Sequence, residues 1–463
     1  MDLISKNKVI NTFEYTRVNN LNINKKELEK FLQNNWDSRL ILYNDNNLSK
    51  KQQFIDFDHR GNDFKTKNYI GTIVYDNVNI NIFPKLYRDS LSSKLNISDV
   101  YKNISYWLEF CSREKFPFLS TSLDVSSNQN FLELLINIYA NYTLSLVSKY
   151  HFHQYEIVEE DLDNIKGRIN IRDYFTKKVV NGNFNSFKCS YSDFRYDNLL
   201  NRIIKYTCIF LTTLTNNSNC IRVLRRIITQ LNDVENVKVH ASDCDKIKVN
   251  SYYFEYNLVI SMSKMFLLNK SNNEMERTSN INTFCFLFPA EDLYEEFVAG
   301  FLKSKFFENS LDNGNSVIFT QGNGKAVKDR FLVDLYIDNL PVNKGRSFLQ
   351  KEDIYIFHHG NVFVLDTKYK IINSLNEIVQ GNTNVAEDDI RQILIYGIKN
   401  KAKKVFLVYP LNHNEEYFSN DINYKVNIDN VDLEIGILKI PFLRTENSEN
   451  ILENIFKKLV FYN

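Results

Sequence analysis

The sequence predicts an α+β multidomain protein, with a β-rich N-terminal domain, a helical middle region and a C-terminal α/β domain. Three observations carry that reading. Val78–Ile82 alternates strictly between apolar residues and asparagine, and Phe131–Tyr150 is a long apolar helix pattern. From about Thr283 onward, strand-like runs interleave with helix-like ones. A chain of 463 residues exceeds one ordinary core, so two or three domains are expected, with boundaries at 1–120, 121–282 and 283–463.

In the first region, Tyr69–Tyr75 and Val78–Phe83 flank the turn-prone pair Asp76-Asn77, the pattern of a β-hairpin. Val78, Ile80 and Ile82 share one face and Asn79 and Asn81 the other, as in a half-buried strand that Pro84 ends. Gly71 and Gly167 are candidates for turn positions. In the middle region a second helix is expected over Asn198–Leu214, with Asp197 or Asn198 as its cap. Between the two helices, Asp161–Asn170 reads as an irregular or strand-forming excursion. The third region reads as helix, several strands, helix, strand and a last helix near 448–460.

Composition narrows the function classes. Hydrophobic residues make up 43% and charged residues 24%, as in an ordinary soluble globular protein. The net charge of +1 gives no global field toward nucleic acid, so any DNA binding must rest on local basic groups. The start lacks an apolar leader and no run approaches a membrane span, so a cytoplasmic protein without membrane contact is expected. Cys111, Cys189, Cys208, Cys220, Cys244 and Cys285 form no CxxC and sit in apolar contexts, which suits reduced structural thiols. His151/His153 and His358/His359 lack the Cys or Glu partners of a zinc site.

The residues that carry chemistry lie in Asn361–Lys370. Asp366 and Lys368 are two apart on a strand whose preceding residues are apolar on both faces, so both point the same way at the exit of a buried strand. Asp353 lies upstream at the head of a second strand-like run, with His358-His-Gly-Asn361 as the turn between them. Antiparallel pairing brings Asp353 and Asp366 near one another, where hard oxygen ligands suit Mg²⁺, or Mn²⁺, better than zinc. Lys368 would then orient or help deprotonate an attacking water. Asp334, in Leu332-Val-Asp-Leu-Tyr336, is a competing choice for the first acid.

A helix over Asp388–Lys399 follows, with Ile390, Ile393, Leu394, Gly397 and Ile398 as its apolar stripe. Gln392 and Tyr396 share another side of it, either toward the site or DNA or as a solvated face. Lys399, Lys401, Lys403 and Lys404 form a local basic cluster suited to phosphates. In Glu291–Leu302 the acids of the first turn complement the helix dipole, and Glu295 is the candidate accessory carboxylate.

Asp353, Asp366 and Lys368, followed by Gln392 and Tyr396, resemble the PD-(D/E)xK nuclease pattern with its QxxxY helix. Leu287–Val298 resembles the helix that opens this domain in the McrC family, and Asn68–Lys85 resembles that family's N-terminal hairpin with its terminal Pro-Lys. Lys166-Gly-Arg168 and Phe187–Arg202 are similar to its middle segment. The family's first motif usually reads Pro-Asp, whereas here it is Glu352-Asp353. The resemblance implies a restriction-endonuclease-like C-terminal domain and an endonuclease subunit that cuts double-stranded DNA containing modified cytosine. It also implies a McrB-like AAA+ GTPase hexamer as partner, with 1–120 the candidate for engaging that motor. Cutting two strands needs two sites, so a nuclease-domain dimer is expected during cleavage. The chain itself has no GxxxxGK[ST] and is expected to bind no nucleotide; Gly322-Asn-Gly-Lys325 reads as a hairpin tip. The alternative is a non-catalytic subunit that assembles and activates the motor on a retained nuclease fold.

Overall fold

The structure, a computed structural model, describes residues 8–19, 24–39, 49–58, 63–76, 78–88, 97–111, 131–275, 283–307, 316–320, 331–337, 340–349, 351–372, 384–411, 422–426, 432–444 and 447–458. Two compact units emerge. One comprises Met1–Asp37, Tyr43–Gln129 and Cys285–Asn463, and the other Ser38–Leu42 and Asn130–Phe284.

The first unit opens with strands β1 (Lys8–Phe13) and β2 (Arg17–Val18), helix α1 (Lys25–Ser38), and strands β3 (Ile55–Phe57) and β4 (Phe64–Thr66). The expected hairpin follows as β5 (Tyr69–Tyr75) and β6 (Val78–Phe83), antiparallel with Ile73 opposite Ile80, turning through Asp76 at a φ of 56°. Leu28, Phe31, Leu32 and Trp36 of α1 pack on Phe54, Tyr69, Ile73 and Ile80 in one buried cluster. Each such side chain contributes roughly 1.5–3 kcal/mol on burial.

The alternation in β6 does not leave one face to water. Asn79 and Asn81 are buried, and their polar groups are met within the sheet. Thr72 Oγ1 donates toward Asn79 Oδ1 at 2.8 Å or Asn81 Oδ1 at 3.0 Å, and Asn81 Nδ2 donates to Asn11 Oδ1 at 2.9 Å. β1 pairs in parallel with β6, from Lys8 opposite Val78 to Phe13 opposite Phe83.

The far edge of this sheet is β10 (Phe284–Pro289), in the order β1-β6-β5-β10. Gly71 is therefore not a turn residue. It lies inside β5, where an added Cβ would stand 2.1 Å from the Phe286 carbonyl oxygen. The regions 1–120 and 283–463, read as separate domains from the sequence, thus share one sheet and one compact unit. Helix α2 (Ile97–Phe110) adds to the joint: Trp107 stacks on Phe442 at 3.8 Å and 4°, and its indole N–H donates to the Phe442 carbonyl.

The rest of this unit is the C-terminal α/β fold. It runs through helix α8 (Ala290–Leu302), strands β11 (Ser316–Thr320), β12 (Phe331–Ile337), β13 (Leu340–Leu349), β14 (Ile354–His358) and β15 (Asn361–Thr367), and helix α9 (Glu387–Asn400). Strands β16 (Lys404–Pro410), β17 (Ile422–Lys425) and β18 (Glu434–Ile440) and helix α10 (Ser448–Phe456) complete it. The strands form a six-stranded sheet in the order β11-β14-β15-β16-β18-β17, while among the described residues β12 and β13 pair only with each other. β14 and β15 are antiparallel, whereas β15, β16 and β18 are parallel, with α9 as the crossover between the first two. Val364, Val405, Leu407 and Ile435 are buried against Ile393 and Tyr396 of α9.

The second unit is mainly helical, as expected, with α3 (Phe131–Lys149), the short α4 (Ile171–Asp173), α5 (Leu199–Leu214), α6 (Ser218–Gln230) and α7 (Tyr256–Met275). Asn198 caps α5 by accepting from the Asn201 N–H at 3.1 Å. The Asp161–Asn170 excursion lies in a three-stranded sheet of β7 (Gln154–Leu162), β9 (Phe187–Arg195) and β8 (Arg168–Ile169), with Gly167 at a φ of 70°. Outward positions of this sheet and its flanking segments carry Tyr155, Ile157, Phe175, Val180, Phe184 and Phe194, all exposed. All six cysteines are free and buried, and no helix among the described residues is long and apolar enough to cross a membrane.

Candidate active site

Asp353 ends the segment entering β14, and the β14–β15 hairpin turns through His359 and Gly360, both at positive φ. Ile354 pairs with Leu365, so the two acids stand on the two strands just past that same rung, at the open end of the hairpin. Asp353 Oδ2 accepts from the backbone N–H of Thr367 at 2.7 Å and from its hydroxyl at 2.8 Å. These bonds lock the strand end that carries Asp366. Asp334, the competing first acid, lies in β12, outside the six-stranded sheet. Gly322–Lys325 lies outside the described residues.

Lys368 Nζ stands 2.6 Å from Asp366 Oδ2. The contact is a close ion pair at the buried exit of β15. The lysine also donates to Gln392 Oε1 at 3.0 Å. Gln392 Nε2 donates to the Tyr396 hydroxyl at 2.9 Å, and that hydroxyl donates to the Lys351 carbonyl at 3.2 Å. Gln392 and Tyr396 therefore face the acids rather than solvent. The apolar stripe is rotated accordingly: Ile393, Tyr396 and Gly397 are buried, while Ile398 is 46% exposed.

Burial pushes the Asp353 carboxyl above the ordinary carboxylate range, Glu295 pushes it further, and the bonds from Thr367 oppose both. Burial does the same to Asp366, with Asp353 as a repelling neighbour and Lys368 as the opposing cation. Burial works against the charge of Lys368, but Asp366 and Asp353 outweigh it and hold the ammonium above its ordinary value. Glu295 of α8 thus lies within electrostatic reach of Asp353. Among the described residues, however, no three His, Cys, Asp or Glu side chains form a metal-holding cluster.

Two buried carboxylates that repel one another, with one lysine between them as counter-charge, suit a hard divalent cation that keeps most of its waters. Glu352, which stands where the nuclease pattern has proline, is buried and accepts from Asn400 Nδ2 at 2.6 Å. It fastens the motif to the end of α9, in place of the stiffness of a proline.

The basic cluster is not part of this constellation. Lys404 pairs with Phe363 at the start of β16 and bridges to Glu434 at 3.2 Å, while Lys399, Lys401 and Lys403 are exposed around the same end. Asp366 is three rungs along β15, roughly 10 Å away at strand spacing. A further acid escaped the pattern of the sequence. Asp389, buried in the first turn of α9, accepts from Lys370 Nζ at 2.9 and 2.8 Å and from the Tyr409 hydroxyl at 3.4 Å. The signal was the second lysine in Asp366-Thr-Lys-Tyr-Lys370 together with Asp389 at a helix start.

Comparison with known proteins bears on these residues as a set. No curated protein matches the chain. Among solved structures, the chain is similar to one in a refined half-complex from the tetradecameric assembly of Thermococcus gammatolerans McrB AAA+ hexamers with bound McrC. The TM-score is 0.66 at 14% identity, covering 98% of this chain and 100% of that one, which is a likeness of fold. A chain of the Thermococcus gammatolerans McrBC complex gives a TM-score of 0.45 at 15% identity, covering 64% and 87%. Residues 64–410, which hold the N-terminal hairpin, Asp353, Asp366, Lys368 and the Gln392–Tyr396 pair, match the model of the McrBC 5-methylcytosine restriction system component. The chain belongs to the McrBC 5-methylcytosine restriction system component family.

Proposed function

We propose that this chain is the DNA-cleaving subunit of a McrBC-type restriction system, hydrolysing phosphodiester bonds in double-stranded DNA that carries modified cytosine. The observation that supports it most is the joint placement of Asp353, Asp366 and Lys368, with Gln392 bearing on the lysine. Mg²⁺ or Mn²⁺ held by Asp353 and Asp366 would polarise the phosphate and lower the pKa of a bound water. The chain's own part is positional and electrostatic. The two carboxylates repel one another in a buried site, so their free state favours uptake of a cation. Lys368 keeps its proton, which suits it to stabilise charge on the phosphate or to orient the attacking water rather than to act as a base. Gln392 and Tyr396 fix its reach. Glu295 adds negative potential beside Asp353.

The similar McrC chain is bound to McrB AAA+ hexamers, and the same kind of partner, a GTPase, is proposed here. The sequence pointed to 1–120 as its docking region. Among the described residues, exposed apolar side chains are most frequent in the second unit, where Ile157 is 80% and Val180 76% exposed. A patch of that kind suits a protein partner. One observation favours the alternative of a non-catalytic assembly subunit: Asp353 already spends Oδ2 on Thr367, and no third ligand joins the pair among the described residues.

The deciding experiment is Asp366→Ala in the full chain, assayed with the partner for both DNA cleavage and GTP hydrolysis. Loss of cleavage with stimulation of GTP hydrolysis intact is expected, because one carboxylate is removed from the site and no interface is touched. Full cleavage by this variant would give the lead to the assembly reading, and joint loss of both activities in a folded protein would mean the two are coupled.

A further inference from the structure

The Pro84-Lys85 pair at the end of the N-terminal hairpin and the fully buried Glu14 have no part in the chemistry above, yet both close on the strand exit that carries Lys368. Glu14 is the first residue past β1 and is 0% exposed. Its Oε2 accepts from the Lys85 backbone N–H at 2.9 Å and from the Tyr369 hydroxyl at 2.9 Å. Lys85 Nζ donates to the Tyr369 carbonyl at 2.7 Å and sits 4.3 Å from the centroid of the same ring. Arg88 Nη2 closes the cluster on the Glu14 carbonyl at 2.6 Å. Tyr369 is therefore held at its hydroxyl, its ring face and its carbonyl by two residues more than 280 positions upstream.

Tyr369 directly follows Lys368. On the other side of that lysine, its own N–H donates to the Val408 carbonyl at 2.9 Å, and the Lys370 N–H returns to the Lys368 carbonyl at 2.8 Å. The Lys368 backbone is thus pinned from β16 on one flank and from Glu14 and Lys85 on the other. In that position its side chain meets Asp366 and Gln392 together. An apolar residue at position 14 would pack without leaving a buried carboxylate oxygen, Oε1, unpartnered. A group that costly is accounted for by what its other oxygen holds.

We propose that Glu14 and Lys85 are positioning residues for Lys368, so that the N-terminal sheet sets the reach of the lysine across the site. The inference rests on the nuclease reading for its effect on cleavage, whereas the clamp itself is independent of that reading.

The test uses the full chain as wild type, Lys85→Met, Tyr369→Phe, Glu14→Leu and Glu14→Gln. It follows amide hydrogen exchange over 367–370, DNA cleavage with the partner as a function of Mg²⁺, and thermal melting. In Lys85→Met and Glu14→Leu, exchange over 367–370 should quicken about tenfold or more while the amides of 354–358 stay protected. Single-turnover cleavage should fall about tenfold to a hundredfold, as for a sub-ångström to 1 Å misplacement. The Mg²⁺ concentration for half-activation should stay within about twofold, since both carboxylates are untouched. Tyr369→Phe, which loses one of the three holds, should fall between. Glu14→Gln keeps an oxygen acceptor for both donors and should retain most of the rate.

Unchanged exchange over 367–370 in Lys85→Met overturns the clamp. Faster exchange with undiminished cleavage overturns the positioning role. Cleavage that falls only in step with melting, with Gln no better than Leu at position 14, makes the cluster a structural weld and nothing more. A wild-type chain that cuts no DNA defeats the nuclease reading, and the exchange measurement then still decides whether the clamp exists.

Discussion

Replacing Glu14 by Gln should flatten the dependence of stability on pH. Burial pushes the Glu14 carboxyl from 4.5 up to about 7, against the pull of Lys85 and the bonds from the Lys85 backbone and Tyr369. Between those two values the folded chain holds a proton that the unfolded chain has released. A raised carboxyl therefore contributes its stability in full below the unfolded value and loses it as pH rises through the folded one. At about 1.36 kcal/mol per pH unit, the loss across the interval amounts to roughly 3 kcal/mol, without discount for solvent because the group is fully buried.

Asp353 and Asp366 are raised in the same direction, so the wild type alone cannot isolate Glu14. The difference between wild type and Glu14→Gln can, since both aspartates are common to the two chains. Urea unfolding followed by tryptophan fluorescence is the assay: Trp36 and Trp107 are the two tryptophans of the chain, and both lie in the first unit. Relative to wild type, the variant should gain roughly 2.5 kcal/mol between pH 5 and pH 8. An identical difference at both pH values would refute the reasoning. The carboxylate would then be charged throughout and matched by the Lys85 ammonium.

Gln392→Ala removes the bond that Lys368 makes to the helix beside the acids, so cleavage should fall about tenfold or more while melting shifts little; unchanged turnover would show that Asp366 alone orients the lysine. The isolated fragment 283–463 should lack a cooperative unfolding transition, because β10 loses its partner β5 and Phe442 loses Trp107. A sharp calorimetric transition in that fragment would restore the C-terminal region as a separate folding unit. Ile157→Asp should reduce stimulation of the partner's GTP hydrolysis with no change in melting, since a side chain 80% exposed gives up little packing; full stimulation would move the docking surface elsewhere.

Local periodicity located the elements well where one short stretch decides them. The 69–83 hairpin, the Phe131 and Leu199 helices and the β14–β15 hairpin follow from side-chain alternation, apolar stripes and turn residues, all within about twenty residues. That same hairpin logic was enough to set Asp353 beside Asp366. Pairing between distant strands was not legible. Nothing in Phe284–Pro289 says that its neighbour is β5, since a run buried on every residue fits any sheet interior. The face of α9 was legible only in part. Its residues offer both an Ile stripe and the Gln392/Tyr396 side, and Lys368 and the Lys351 carbonyl decided the rotation. Glu14 and Asp389 went unnoticed because each is explained by a partner far along the chain, Lys85 and Tyr369 for the first and Lys370 and Tyr409 for the second.

The split of the first unit around the second has a consequence for a chain still being synthesised. The edge of β5 is made early, but the strand that covers it begins at Phe284, about 200 residues after β6 ends at Phe83. At ordinary translation rates that interval lasts roughly 10–40 s, during which the first sheet stands open on one side. Throughout it the ribosome carries a nascent chain with no Asp353, Asp366 or Lys368. Chains that end before β15 therefore lack Asp366 and Lys368. Asp353, Asp366 and Lys368 are thus all synthesised after β10, the strand that completes the first sheet.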